Sequence, residues 1–203
     1  MGLLNEYEIK AWKNQKLVLG IDEAGRGPMA GPCVVCGVVF PIGYENELIN
    51  DSKQLSQTKR ESLVEIIKRD ALAYEIKIVS VEAIDELNIY QATKLAMMDI
   101  AQKMQADVVL TDAMPFESHD KEVISIVKGD QLSISIAAAS ILAKTKRDEI
   151  MFEFDALYPE YGFKDHKGYG TKKHKEAILK YGRTPIHRKT FRFKDEGQIS
   201  LDI

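Results

Sequence analysis

Residues 20–32 read Gly-Ile-Asp-Glu-Ala-Gly-Arg-Gly-Pro-Met-Ala-Gly-Pro, and no other stretch limits the fold so tightly. The apolar run Leu17-Val18-Leu19 leads into it as a buried strand that ends on two adjacent carboxylates, Asp22 and Glu23. Side-by-side carboxylates at the end of a buried strand repel each other and lose solvation. Such a pair is stable only where something cationic sits, typically a divalent metal. The Gly25-Arg26-Gly27 turn lets backbone N–H groups come close to a substrate and adds one planar cationic fork. Pro28 and Pro32 forbid a helix start, so this is not a dinucleotide fingerprint. Acid pair, cation and backbone cradle together point to phosphodiester chemistry.

Strands are expected at 16–23, 33–40 and 72–80, the last with Tyr74, Ile76, Ile78 and Ser80 alternating against Glu75, Lys77 and Val79. Ser56 can cap a helix running to about Arg69, with Leu63, Ile66 and Ile67 on one side. Ile89, Thr93, Ala96, Met97, Ile100 and Met104 follow a helical spacing. Val108-Val109-Leu110-Thr111 is a short buried strand ending in Asp112, and 123–127 is another. Residues 133–157 read as mostly helix, with small Ala137-Ala138-Ala139 for close packing, and 172–181 as a shorter one. Early strands joined by short turns, then strands alternating with helices, indicate an α/β sheet of mixed direction.

In such a sheet, sites assemble at strand ends. Asp22 and Glu23 end the first strand, Asp112 ends a later one and Asp130 follows a third, and four carboxylates there could hold two hard cations such as Mg²⁺ or Mn²⁺. Two metals about 4 Å apart can activate a water and stabilise the leaving 3′-oxygen. Asp130 could instead cap the helix near Ser133, and Asp112 could open a turn before Pro115. Successive strand residues also point oppositely, so joint ligation by Asp22 and Glu23 needs a local twist.

The net charge of −3 conceals an asymmetry. Residues 160–194 hold 11 Lys/Arg against 3 Asp/Glu, a local +8, which leaves −11 on the remainder. His166, His174 and His187 lie in this basic segment with Tyr161, Phe163, Tyr169, Tyr181, Phe191 and Phe193. Basic residues interleaved with rings suit a nucleic-acid groove, although a solvated face balancing an acidic body has the same composition. Cys33 and Cys36 spell C-x-x-C, but on a strand they face opposite sides, so they are expected as two core thiols in a reducing compartment. The first residues lack the apolar core of a signal peptide, and 134–143 is too short to span a bilayer. A cytoplasmic monomer with no membrane association is expected.

Several separate motifs, in order, resemble the ribonuclease HII family. They are residues 20–28, Asn50-Asp51-Ser52-Lys53, Asn88-Ile89-Tyr90-Gln91-Ala92-Thr93, Lys128-Gly129-Asp130, residues 136–144 with Arg147-Asp148, His166-Lys167-Gly168-Tyr169-Gly170-Thr171, and His187-Arg188. The likeness runs from about Val18 to Phe193. It implies a ribonuclease H-like mixed sheet flanked by helices, with a catalytic core over 1–158, a basic substrate-binding lobe of the same domain over 159–195, and a tail over 196–203. It further implies an endonuclease that cuts the RNA strand of RNA–DNA hybrids and incises duplex DNA 5′ to single embedded ribonucleotides, leaving 3′-hydroxyl and 5′-phosphate ends. Asp22, Glu23, Asp112 and Asp130 then correspond to the catalytic, metal-binding acids for two Mn²⁺ or Mg²⁺ ions. Gly25, Arg26 and Gly27 correspond to the loop that senses the 2′-hydroxyl, and Tyr169 to the ring that stacks on the following deoxynucleotide sugar. Lys53, Lys144, Arg147, His166 and Lys167 become expected phosphate contacts. Thr111-Asp112-Ala113-Met114 departs from the more usual Val-Asp-Gly-Asn, which leaves the carboxylate but alters the loop after it.

Gln198, Ile199, Leu201 and Ile203 resemble the short peptides with which replication and repair proteins dock on a sliding clamp, against a frayed end or edge strand as the plainer reading. Two competitors stand beside the nuclease: a resolvase-like DNA-cutting enzyme of the same general fold, and a non-catalytic RNA–DNA hybrid binding module. The first leaves the Gly-Arg-Gly loop and Tyr169 without a purpose, and the second leaves four acids repelling phosphate for no gain.

Overall fold

The computed structural model describes residues 5–49, 57–194 and 196; the 50–53 motif with Lys53, the Ser56 cap and the 198–203 tail lie outside them. Five strands form one mixed sheet: β1 (Val18–Ala24), β2 (Cys33–Val39), β3 (Ala73–Val79), β4 (Val108–Asp112) and β5 (Glu122–Ile126). Their order is β3-β2-β1-β4-β5. The first three run antiparallel through short turns, whereas β4 and β5 lie parallel to β1. The mixed α/β sheet expected from the alternation of elements is what forms.

Helices cover both faces. On one side α4 (Ile89–Lys103) lays Ala96, Met97 and Ile100 on Leu19, Ile21, Cys33 and Val35. On the other, α5 (Ile134–Leu157) and α2 (Gln57–Asp70) pack on Val34, Cys36 and Val38. Cys33 and Cys36 therefore face opposite layers, as strand period requires, and both are free buried thiols. Helix α5 crosses β1 so closely that a Cβ at Gly20 would stand 2.2 Å from the Ser135 carbonyl carbon. Glycine at that position is what lets this helix, which carries part of the site, lie on the strand that carries the acid pair. No helix among the described residues is long and apolar enough to cross a membrane.

Three short helices have no counterpart in the periodicity reading: α1 (Glu6–Trp12), α3 (Val81–Leu87) and α6 (Phe163–His166). One or two turns display too little period to be recognised, and such helices depend on tertiary partners. The edge strand β3 also departs from its alternation: Val79, placed with the polar set, is buried, while Ile78 is 51% exposed.

The rings of the basic segment divide: Tyr161 and Phe163 are buried, while Tyr169 and Tyr181 are exposed. Tyr161, Phe163 and Ile178 of α6, α7 (Lys172–Tyr181) and the turn before them form a small core with Met29, Ala30 and Met151. These residues thus pack on the glycine-rich loop and on the C-terminal half of α5.

Candidate active site

Parallel pairing brings the acids together. Ile21 pairs with Thr111, so Asp22 and Asp112 follow at the carboxyl ends of adjacent strands. Asp112 in turn pairs with Ile126 of β5. Beyond β5 a single 3-10 turn at Gly129–Gln131 carries Asp130, which is fully buried. The Gly129 N–H donates to Asp112 Oδ1 at 2.8 Å, which ties the third acid to the turn of the fourth. Asp112 thus accepts across the sheet from the turn after β5. The helix cap proposed for Asp130 belongs instead to Ser133, whose hydroxyl accepts from Ile136 N–H at 3.1 Å.

Asp22, Glu23 and Asp112 line one cavity of about 290 Å³. Asp22 is 5% exposed. Burial pushes its carboxyl well above the usual carboxylate range, and the Glu23 and Asp112 charges push it further; hydrogen bonds from Ser140 and the Glu23 N–H only partly oppose this. Among the described residues no three acidic, histidine or cysteine side chains close into a metal-ligand cluster. What fits a cation is the charge arrangement, since a divalent ion against these hard oxygen donors would offset the repulsion from Glu23 and Asp112 and favour the ionised form of Asp22.

Gly25, Arg26, Gly27, Lys144, Arg147 and Tyr169 line the same cavity. Arg26 lies 3.4 Å from Glu23 Oε1 and is more than a third exposed. Gly25 has φ +101°, and a Cβ there would fall 2.0 Å from Arg147 Nε, so only glycine permits this turn. A Cβ at Gly27 would stand 3.5 Å from Tyr169 Cε1, which puts loop and ring side by side. Lys144 faces the cavity while its ammonium pairs with Asp148 at 2.6 Å.

The remaining expected phosphate contacts divide differently. Arg147 is 1% exposed and donates to the Pro32 and Ala30 carbonyls at 3.0 and 3.2 Å, so it holds the loop from beneath. His166 does not line the cavity: Nε2 meets the Tyr161 carbonyl at 2.8 Å and Nδ1 accepts from Gly168 N–H at 3.2 Å. Both ring nitrogens serve the turn before Tyr169. Lys167 is also outside the cavity, with its ammonium 4.1 Å from the Phe152 ring centroid and donating to the Lys164 carbonyl.

Two site residues escaped the reading of the sequence. Ser140 lines the cavity and hydrogen-bonds Asp22. Arg188 is wholly buried and donates to the Gly31, Arg26 and Gly25 carbonyls at 2.9, 2.9 and 2.6 Å. Burial, with the Arg147 charge second, pushes its pKa down to about 10. Nothing local separates Arg188 from the ten other Lys/Arg of the basic segment, since its acceptors are about 160 residues away in sequence.

Residues 19–194 match the family model described as Ribonuclease HII. The ribonuclease HII of Clostridioides difficile (strain 630) is 54% identical over 191 residues, covering 93% of this chain and 75% of its own. That of Acholeplasma laidlawii (strain PG-8A) is 53% identical over 181 residues, covering 88% and 89%. Among solved structures, the PCNA:RNase HII complex from Archaeoglobus fulgidus matches with a TM-score of 0.78 at 26% identity, covering 91% of this chain and 98% of that one.

Proposed function

The chain belongs to the ribonuclease HII family and is a ribonuclease H, and on that premise we propose that it cuts the RNA strand of RNA–DNA hybrids and incises duplex DNA 5′ to single embedded ribonucleotides, as in ribonucleotide excision repair. Family membership leaves no room for a module without catalysis. The observation that carries the finer reading is the meeting of three buried or half-buried acids with the glycine loop and the Tyr169 ring in one cavity.

Asp22, Glu23 and Asp112, with Asp130 behind Asp112, would hold divalent cations, Mn²⁺ or Mg²⁺. When bound, such ions supply Lewis-acid activation of phosphate and water, ending in 3′-hydroxyl and 5′-phosphate products. Ser140 orients the Asp22 carboxylate. Lys144 and Arg26 bring positive charge to the phosphate, and the Gly25–Gly27 backbone approaches the sugar closely enough to sense its 2′-hydroxyl. Tyr169 would stack on the next sugar, where an additional hydroxyl would clash. Residues 159–195 act as the substrate-facing lobe of the same domain, and the enzyme works as a monomer.

The test is an end-labelled DNA duplex carrying one ribonucleotide, incubated with Mg²⁺ or Mn²⁺ beside an all-DNA duplex and an Asp112→Asn variant. One cut 5′ to the ribonucleotide is expected, absent from the control and reduced about 10²–10³-fold or more in the variant. Cleavage of the all-DNA duplex would overturn the substrate, and full activity of the variant would overturn the role of Asp112. We further propose that residues 198–203 dock on a sliding clamp, a reading supported by the archaeal neighbour's complex with PCNA. Equal clamp capture with and without those residues would sink it.

A further inference from the structure

Behind Tyr169 lie histidines that take no part in the acid site. His174 and His187 are both buried, and their Nε2 atoms are 3.0 Å apart. The donors around them assign the protons. The Thr184 N–H donates to His187 Nδ1 at 2.9 Å, so the His187 proton sits on Nε2. That Nε2–H donates to His174 Nε2, which leaves the His174 proton on Nδ1. The His174 Nδ1–H then donates to the Tyr169 carbonyl at 2.9 Å.

This chain of donors joins two elements of the proposed recognition site. His187 bridges Ala30, and beside it Gly31 N–H donates to the Ile186 carbonyl at 2.8 Å while Arg188 N–H donates to the Met29 carbonyl at 2.9 Å. The His187 end is therefore fixed to the loop that begins at Gly25. The His174 end is fixed to the backbone of Tyr169, whose own ring is 49% exposed. An exposed ring takes its place from the backbone that carries it. The chain also closes only with both rings neutral, because a proton added at His174 Nε2 would face the His187 Nε2–H and one added at His187 Nδ1 would face the Thr184 N–H. Burial holds both rings down to about 4. The groups facing the pair are His166, stacked on His174 at 4.5 Å, the Tyr161 and Phe163 rings, the cation of Arg183 and, more weakly, Glu196.

We infer that His174 is a positioning residue for substrate discrimination: its Nδ1–H, oriented by His187, holds the Tyr169 backbone so that the ring keeps its spacing from the Gly25-Arg26-Gly27 loop. The inference rests on the proposed reading of Tyr169 as the ring that meets the nucleotide following the cut ribonucleotide. A ring displaced by a fraction of an ångström would still permit cleavage but would distinguish deoxyribose from ribose less well.

The experiment compares kcat/KM on two duplexes, one with a deoxynucleotide and one with a ribonucleotide directly after the cut ribonucleotide. The full chain is used as wild type, His174→Asn, His174→Phe and Tyr169→Ala. Asparagine presents a donor close to where Nδ1 stands, while phenylalanine fills the ring's volume among the surrounding aromatics without donating. The ratio of the two substrates cancels any fraction of inactive protein, so a partly folded variant still reports. Tyr169→Ala and His174→Phe are expected to lower the ratio about tenfold, and His174→Asn to keep it within about threefold of wild type. An unchanged ratio in His174→Phe, with the ratio lost in Tyr169→Ala, overturns the inference alone. An unchanged ratio in Tyr169→Ala overturns the reading of Tyr169 and the inference with it.

Discussion

At Asp22 a carboxylate stands at 5% exposure between two other acids, and its burial and neighbours raise its pKa rather than its stability. Single residues elsewhere in the site answer to the same pressure of burial. His174 and His187 are neutral in the fold because charging either would strand a cation among rings and break a bond: the Nε2–Nε2 bond at His174, the Thr184 N–H bond at His187. Their folded pKa of about 4 lies below the ordinary 6.5, so the unfolded chain takes up the protons first. The stability these rings contribute is complete above about pH 6.5 and is lost as pH falls towards about 4. Thermal melts across that window are expected to show a fall in Tm, and His174→Phe is expected to flatten it; an equal slope in the variant would remove these rings as its source.

The element that decides the geometry of the site is α5. It bears Ser140, Lys144 and Arg147 along one length, and its start is held by a helix that periodicity alone did not reveal. Just before α1, Asn5 Oδ1 accepts the Ile134 N–H at 2.9 Å, and within α1 Glu8 Oε1 accepts the Ser135 N–H at 3.2 Å and the Ser133 hydroxyl. A buried carboxylate against the first turn of a helix satisfies its orphan donors and opposes its dipole. Glu8→Ala is expected to destabilise the protein by about 2 kcal/mol, a fall in Tm of roughly 4–8 °C for a chain of this size. Loss of cleavage at a temperature where the variant remains folded would show that the N-terminus of α5 also sets the Asp130 turn. Helices α4 and α5 were legible because several turns of apolar spacing repeat in each, whereas α1 is recognisable only once Glu8 is seen to meet Ser133.

Across the whole molecule, two buried arginines from different elements fasten the glycine loop. Arg147 comes from α5 and Arg188 from the lobe, and both direct their guanidinium groups at loop carbonyls rather than at carboxylates. Arg188→Ala leaves three carbonyls without their donor and is expected to destabilise by roughly 3 kcal/mol or more, read by denaturant unfolding. Arg188→Lys is expected to rescue little of this, since a single ammonium cannot present the planar fork that reaches three acceptors; full rescue would reduce Arg188 to a point charge. The division between sequence and tertiary structure follows range. By themselves, the residues determined the strands and the longer helices, the acid pair at the end of β1, and the opposed faces of Cys33 and Cys36, because side-chain period and local backbone chemistry act within a few residues. Only the tertiary structure decided that Tyr161 and Phe163 of the basic segment join a small core, that His166 and Arg147 hydrogen-bond backbone carbonyls, and that Arg188 holds the glycine loop. Each of those outcomes depends on which carbonyl or ring lies within about 3–6 Å across the fold, and hydrogen-bond and ring-stacking partners far apart in sequence leave no period for a sequence to display.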